Sequence, residues 1–231
     1  LNCDALKEIE VNFKIIDHNS GSDNLDKIKN LFKKNNLKME LLNLDVNKFK
    51  EKIHKTNEEQ KQVTLNQMSN MSNIHQSLLE SKNSKDLIYF IEDDYLHNLN
   101  SLEEMIFTYE RIASQINDEL FICSTDYPYL YNKLDSTNIF LGNNYHWRRV
   151  DETLCSFLTS KKMIDKYWGE LVSMCEYEHY PFEKPLHNIF KKELCISPIP
   201  TLSIHCTNIN SIYGLSPNIN WKKIWDENKI D

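Results

Sequence analysis

Along the first half of the chain the apolar residues change their period again and again. Short runs of β-formers, VNFKIID, MELLNLDV, DLIYFI and ELFICS, are separated by longer stretches in which apolar residues recur every three or four positions. The short runs predict strands and the longer period predicts helices. From Asn24 onward, Leu25, Ile28, Leu31 and Phe32 have helical spacing. Residues 63–82 carry Leu65, Met68, Met71, Ile74 and Leu78 on one side. A third helix opens at Ser101, with Glu104 three residues on in the form of a capping box, and continues as a stripe of Leu102, Met105, Ile106, Tyr109, Ile112 and Ile116. LNCDALKEI reads as the end of an earlier helix. Residues 47–62 are so polar that they predict a mobile loop or an exposed helix.

The second half reads less regularly. NIFLG, YHWRRV and TLCSFLTS predict strands, and a helix should run from Lys161 to about Met174. FEKPLHNIFKKE has helical character despite Pro185, and CISPIPTLSIH is extended. The tail, SPNINWKKIWDENK, predicts a short amphipathic piece whose Trp221 and Trp225, four apart, would pin it to the body.

Strands alternating with helices over the first 125 residues predict an α/β fold with a mostly parallel central sheet. DLIYFI, nearly all apolar, should be its central strand, covered on both faces. Ligands of such sheets bind beyond the carboxyl ends of the strands. Asp17 and the Glu92–Asp94 triplet both fall at such ends, so one crevice can take both.

Composition narrows the partners. The net charge of −7 argues against nucleic acid, which needs a basic face. No apolar run approaches the length of a membrane span and no signal-peptide pattern opens the sequence, so the expectation is a cytoplasmic chain without a membrane span. Cys3, Cys123, Cys155, Cys175, Cys195 and Cys206 form no C-x-x-C pair, which disfavours a zinc ribbon and fits reduced thiols. Arginine is scarce, and that draws the eye to the Arg148–Arg149 pair.

The triplet Glu92-Asp93-Asp94 raises the chemical question. Three adjacent carboxylates repel, and each costs free energy to desolvate, so a cation is the expected partner. Hard oxygen ligands suit Mg2+ or Mn2+, which in turn bridge phosphates. In extended chain, residues two apart point the same way, so Glu92 and Asp94 share one side and Asp93 takes the other. The plainer reading places the same acids in a loop, favoured by the dipole of the helix that follows.

DLIYFIEDDYLHNLNSLEEMI resembles the D-x-D region of GT-A glycosyltransferases, in the family 2 pattern of strand, acidic triplet and helix opening with Leu-Glu. FKIIDHNSGSDNL resembles that family's second-strand signature, and MSNIHQSLLES resembles the helix before its metal motif. The resemblance covers about residues 5 to 110. It implies a three-layer GT-A-like sandwich whose first strand, having no counterpart before Leu6, is missing. Residues 1–125 would bind a nucleotide-sugar donor and residues 126–231 an acceptor, a carbohydrate or another hydroxyl. Asp17, with Asn19 and Asn73 beside it in the signature positions, would meet the donor nucleotide. Asp94, with Glu92 or Asp93, would hold Mn2+ or Mg2+ against the donor diphosphate, and His205 would complete the metal site. Without the resemblance, Asp17 reads equally well as a turn stabiliser, and His205 as a hydrogen-bonded structural histidine.

An inverting transferase needs a carboxylate to take the acceptor's proton. CEYEHYPFEKPLHNIF supplies Glu183 first and Glu178 second. Arg148 can bind phosphate bidentately, whereas Trp147 reads as core. Two other classes compete. A sugar nucleotidyltransferase would want a Gly-rich basic loop, and the chain has only four glycines. A degenerate, non-catalytic sugar-binding module would keep the architecture without the chemistry. A phosphoacceptor receiver domain would be about half this length with its acids near the start, and is set aside.

Overall fold

The computed structural model describes residue 6 and residues 8–132, 136–207, 215–216 and 219–229. The helix end read in LNCDALKEI, and Cys3 within it, falls largely outside the described residues.

Phe13–Asp17 (β1), Ser22–Lys34 (α1) and Met39–Asn43 (β2) form one βαβ unit, with β1 and β2 paired in parallel from Phe13 opposite Met39 to Asp17 opposite Asn43. Parallel neighbours need a crossover, and α1 supplies it. Asn19 makes the β1–α1 turn at φ 62, a region that Asn tolerates better than most residues.

The polar run at 47–62 is a mostly exposed loop and not a helix, and it is tied to the body at a few points. Within and just beyond it, Phe49, Ile53 and Val63 are buried against Leu44 and Met71. The His54 N–H donates to the Glu176 carbonyl (2.8 Å) and the Glu58 N–H to the Glu178 carbonyl (3.0 Å). Burying a side chain of this size stabilises by about 1.5–3 kcal/mol, so a few apolar anchors outweigh the charged composition around them. Leu65–Ser81 (α2) follows, opened by a true capping box between Thr64 and Gln67. Its buried side runs through Met71, His75 and Leu78, and Leu65, expected on that side, is 83% exposed.

The chain continues as Leu87–Phe90 (β3), Tyr95–His97 (β4), Ser101–Ile116 (α3), Phe121–Ile122 (β5), Ile139–Leu141 (β6), His146–Arg149 (β7) and Phe157–Ser160 (β8). Then come Lys161–Lys166 (α4), Trp168–Glu176 (α5), Lys184–Phe190 (α6), Cys195–Ile199 (β9), Ser203–His205 (β10) and Trp221–Glu227 (α7). The helix expected from Lys161 is thus two, broken at Tyr167. Six strands form one sheet in the order β3-β8-β5-β9-β7-β6, in which β5–β9 is the one parallel pair. The sheet is mixed, not mostly parallel. The second half brings in strands without crossover helices: β6 and β7 form a hairpin, and β8 runs between β3 and β5 against both. β3 is therefore an edge of this sheet and not its centre, and its four residues are half-buried. The β1–β2 pair and the antiparallel β4–β10 pair are separate sheets.

The period of two divides the six-stranded sheet between two cores. Phe121, Phe157 and Cys195 face Leu171, Met174, Leu186 and Phe190, while Ile122, Leu158 and Ile196 face Met105, Tyr109 and Ile112 of α3. Helices lie on both faces, giving three layers.

The capping box expected at Ser101 and Glu104 is not formed. Ser101 Oγ donates to the Leu202 carbonyl (2.7 Å). The Glu104 carboxylate, 1% exposed, turns inward and accepts from Asn144 N (2.9 Å), Tyr145 N (3.2 Å), Trp147 Nε1 (3.3 Å) and Thr108 Oγ1 (3.0 Å). Gly142 admits this closure, because a Cβ there would stand 2.2 Å from Trp147 Nε1. At the tail, Ile224 is the buried anchor and Asn228 Nδ2 donates to the His97 carbonyl (2.9 Å), whereas Trp221 and Trp225 are 38% and 53% exposed. The five described cysteines are free thiols. Among the described residues no helix is long and apolar enough to cross a membrane.

Removing the Glu104 carboxylate strands several buried donors at once. Glu104→Ala should lower the unfolding free energy by about 3 kcal/mol or more, and Glu104→Gln by less. Urea denaturation checks this, and an Ala variant as stable as the parent would show that the 142–147 closure contributes nothing.

Candidate active site

After Phe90 the chain turns through residues 91–94 into β4. Glu92 and Asp94 are half-buried and Asp93 between them is exposed, the alternation that extended chain imposes. The Glu92 N–H donates to Ser156 Oγ (3.2 Å), one residue before β8. Pairing of β4 with β10 sets Tyr95 opposite His205, and the Cys206 N–H donates to the Asp94 carbonyl (2.7 Å). This register brings His205 Nε2 to 2.9 Å from Asp94 Oδ2. The Thr207 hydroxyl donates to the same oxygen, while Asp94 Oδ1 is buried with no partner. Tyr95 lies against the His205 ring (4.9 Å between centroids, 31° between planes), and its hydroxyl is 2.5 Å from that of Tyr127. Glu183, the residue before α6, is near enough to act on the group through its charge. Its charge acts on Glu92, and it feels the charges of His187 and His205.

Crowding has a measurable consequence. Burial, then the charges of Asp94, Glu183 and Asp93, push the Glu92 carboxyl up to about 7. Burial likewise raises Glu183. The buried Cys155 thiol is pushed up by burial and then by the charges of Glu183 and Glu92. Two carboxylates and an imidazole are the donor types a hard dication takes, and the unpartnered Asp94 Oδ1 is the atom that such an ion would satisfy. Their present arrangement is a closed one. His205 bonds Asp94 directly, and among the described residues no three His, Cys, Asp or Glu side chains form a group able to hold a metal ion.

The other expected site residues lie elsewhere or have partners of their own. Asp17 ends β1 and its Oδ2 accepts from the Ser20 N–H (3.3 Å), as a turn stabiliser does. Asn19 is exposed beside His18, and Asn73 Nδ2 donates to the Ile16 carbonyl (3.2 Å), tying α2 to β1. These three sit at the end of the β1–β2 sheet, the acidic group at the end of β3 in another. Glu178 takes Gln67 Nε2 on one oxygen, and its other oxygen is buried without a partner. Arg148 is not an open phosphate fork. Its Nε and Nη2 both donate to the buried Asp126 (3.0 and 2.7 Å), and the Tyr131 ring lies 4.1 Å from its Cζ. Trp147 is fully buried, as its apolar setting implied.

Sequence reasoning missed Ser156, Tyr95 and Thr207. Tyr95 had a weak signal, lying one residue past the triplet in an extended run. Ser156 and Thr207 had none, since strand register alone brings them in. No protein-family model matches the chain, and no curated protein matches it in sequence.

The Glu92 shift gives a signed pH dependence. Between the ordinary value of 4.5 and about 7 the folded chain holds a proton that the unfolded chain releases. The stability tied to that proton is full below pH 4.5 and is lost as pH rises through 7. Glu92→Gln should therefore be the more stable form at about pH 8, by on the order of 2 kcal/mol, and equal to the parent at about pH 4. Denaturation across that range checks it, and a difference independent of pH would mean that Glu92 ionises normally.

Proposed function

We propose that this chain is a metal-dependent glycosyltransferase of GT-A type, moving a sugar from a nucleotide-diphosphate donor, a UDP-sugar, to the hydroxyl of a glycan or other acceptor with inversion. One observation carries this reading. Asp94 and His205, from distant stretches of chain, meet beyond the end of β3, and the charges of Asp94 and Glu183 both act on the half-buried Glu92. Electrostatic repulsion makes such a gathering costly unless positive charge enters it.

Each residue then has a role. Glu92 and Asp94, with His205 released from Asp94, would hold Mn2+ or Mg2+, and the bound ion would supply charge neutralisation to the diphosphate. Glu183 takes the proton of the attacking hydroxyl. Its raised carboxyl suits a base, because proton transfer is most effective when the two affinities approach each other. Asp17, with Asn19 and Asn73 at the same strand end, would meet the nucleotide base. Asp93, exposed at the rim, would lie toward the incoming donor.

The direct Asp94–His205 bond favours a second reading, a sugar-binding module that has lost its chemistry. Thermal unfolding with Mn2+ and UDP together separates the two. The transferase reading expects the midpoint to rise by about 5 °C or more at saturating ligand, and Asp94→Ala to abolish the rise. UDP release from a UDP-sugar should then need an acceptor. No shift with Mn2+ and any nucleoside diphosphate leaves the module as the better description.

A further inference from the structure

Residues 55–63 fold back on themselves into a short arm. The Val63 N–H donates to the Lys55 carbonyl (2.9 Å), Thr56 bridges to Gln62, and the Asn57 N–H donates to the Lys61 carbonyl (2.8 Å). Asn57 Oδ1 accepts from the Glu59 and Lys61 N–H groups (3.1 and 2.9 Å), the local bonding by which Asn stabilises a turn. Gln60 completes the reversal at φ 61. The buried Ile53 and Val63 root the arm on the body. Its tip therefore presents Glu58 from a fixed base.

Glu58 reaches the stretch that carries Glu183. Its N–H donates to the Glu178 carbonyl (3.0 Å). Its Oε2 accepts from the Tyr180 N–H (2.8 Å), and Lys184 Nζ donates to its Oε1. One carboxylate thus grips both ends of the turn 180–184, and Glu183 lies between them. Lys184, and after it the Tyr180 N–H, hold the Glu58 carboxyl below its ordinary value, so the gripping group is a carboxylate. Inside the turn the Lys184 N–H donates to the Pro181 carbonyl (3.1 Å), and the Glu183 carbonyl accepts from the His187 N–H (2.9 Å). Those bonds set Glu183 relative to α6. Phe182, packed against two cores, anchors the middle of the turn, and Glu58 anchors its ends. A lone surface ion pair holds little. A carboxylate whose two oxygens take a backbone N–H and an ammonium fixes an orientation as well as a distance.

We propose that Glu58 is a positioning residue, which fixes Glu183 in its half-buried place through the 180–184 turn. Resting on the transferase reading, it holds the base where it takes the acceptor's proton. Proton transfer needs heavy atoms within about 3 Å of each other, and a displacement of about 1 Å costs a large factor in rate. Glu58 itself touches no reacting atom in this scheme and acts only through the turn.

The test is a carboxyl titration of the full chain by heteronuclear NMR, with Glu183→Gln identifying the Glu183 resonance. In the parent, burial holds Glu183 above its ordinary value of 4.5. Glu58→Ala and Lys184→Ala should each bring it down toward 4.5 as the turn comes free. Removing the Lys184 charge would by itself push Glu183 up, so a fall in both variants reports movement and not charge. Glu58→Gln keeps an acceptor for the Tyr180 N–H and should bring Glu183 down less. With a UDP-sugar and an acceptor, Glu58→Ala should lower kcat about tenfold and leave the donor KM unchanged. The proposal is overturned if Glu183 titrates in Glu58→Ala and Lys184→Ala as it does in the parent, whatever the turnover does. A lowered Glu183 titration in a chain whose parent shows no turnover would keep the positioning role and remove the transferase. Turnover by the parent with Glu183 unmoved in both variants would do the reverse.

Discussion

The placement of β8 between β3 and β5, antiparallel to both, is the constraint on which the rest depends. Its residues alternate strictly, so Phe157 enters one core and Leu158 the other, and the sheet seals both layers of helices at this strand. The same strand fixes the chemistry, since Ser156 just before it receives the Glu92 N–H. A register slip of one residue would turn Phe157 and Leu158 into the wrong cores and carry Ser156 away from Glu92. Packing and site geometry thus answer to one hydrogen-bond ladder.

Electrostatics at the site oppose the fold that creates it. Burial removes the water that would solvate Glu92 and Glu183, and the charge of Asp94, at the start of the short β4–β10 ladder, acts on Glu92 as well. Three devices reduce the conflict: proton uptake at Glu92, the imidazole of His205, and the Thr207 hydroxyl on Asp94. None reaches Asp94 Oδ1. Buried ionic groups elsewhere are treated differently. Asp126 has a bidentate arginine, and Glu104 has donors on both oxygens. The contrast separates carboxylates that hold the structure from carboxylates left incompletely satisfied.

Much of the architecture was legible because periodicity is local. The β1–α1–β2 unit, α2, α3 and most second-half strands lie where their apolar spacing put them. Strand partners were not legible. DLIYFI reads as a central strand because it is apolar throughout, but β8 arrives from far along the sequence and leaves β3 at an edge. Glu104 was misread for a related reason. The S-x-x-E pattern is a local rule, and the donors that claimed the carboxylate sit some 40 positions away. At the candidate site, Glu92 and Asp94 stood out by residue type and position, whereas Glu183 and His205 were named through the family resemblance. That His205 would grip Asp94, or that Asp126 would take Arg148, required coordinates, because each depends on which strands lie side by side.

The polar run at 47–62 bears on how this chain can be divided. By composition it reads as a mobile loop or an exposed helix. In fact Phe49, Ile53 and Val63 are walls of a hydrophobic cluster that also contains Leu44 from one flank and Met71 from the other. Cutting there would not free two halves. It would open an apolar seam on each fragment, so the boundary that looks safest on paper is one of the worst places to truncate.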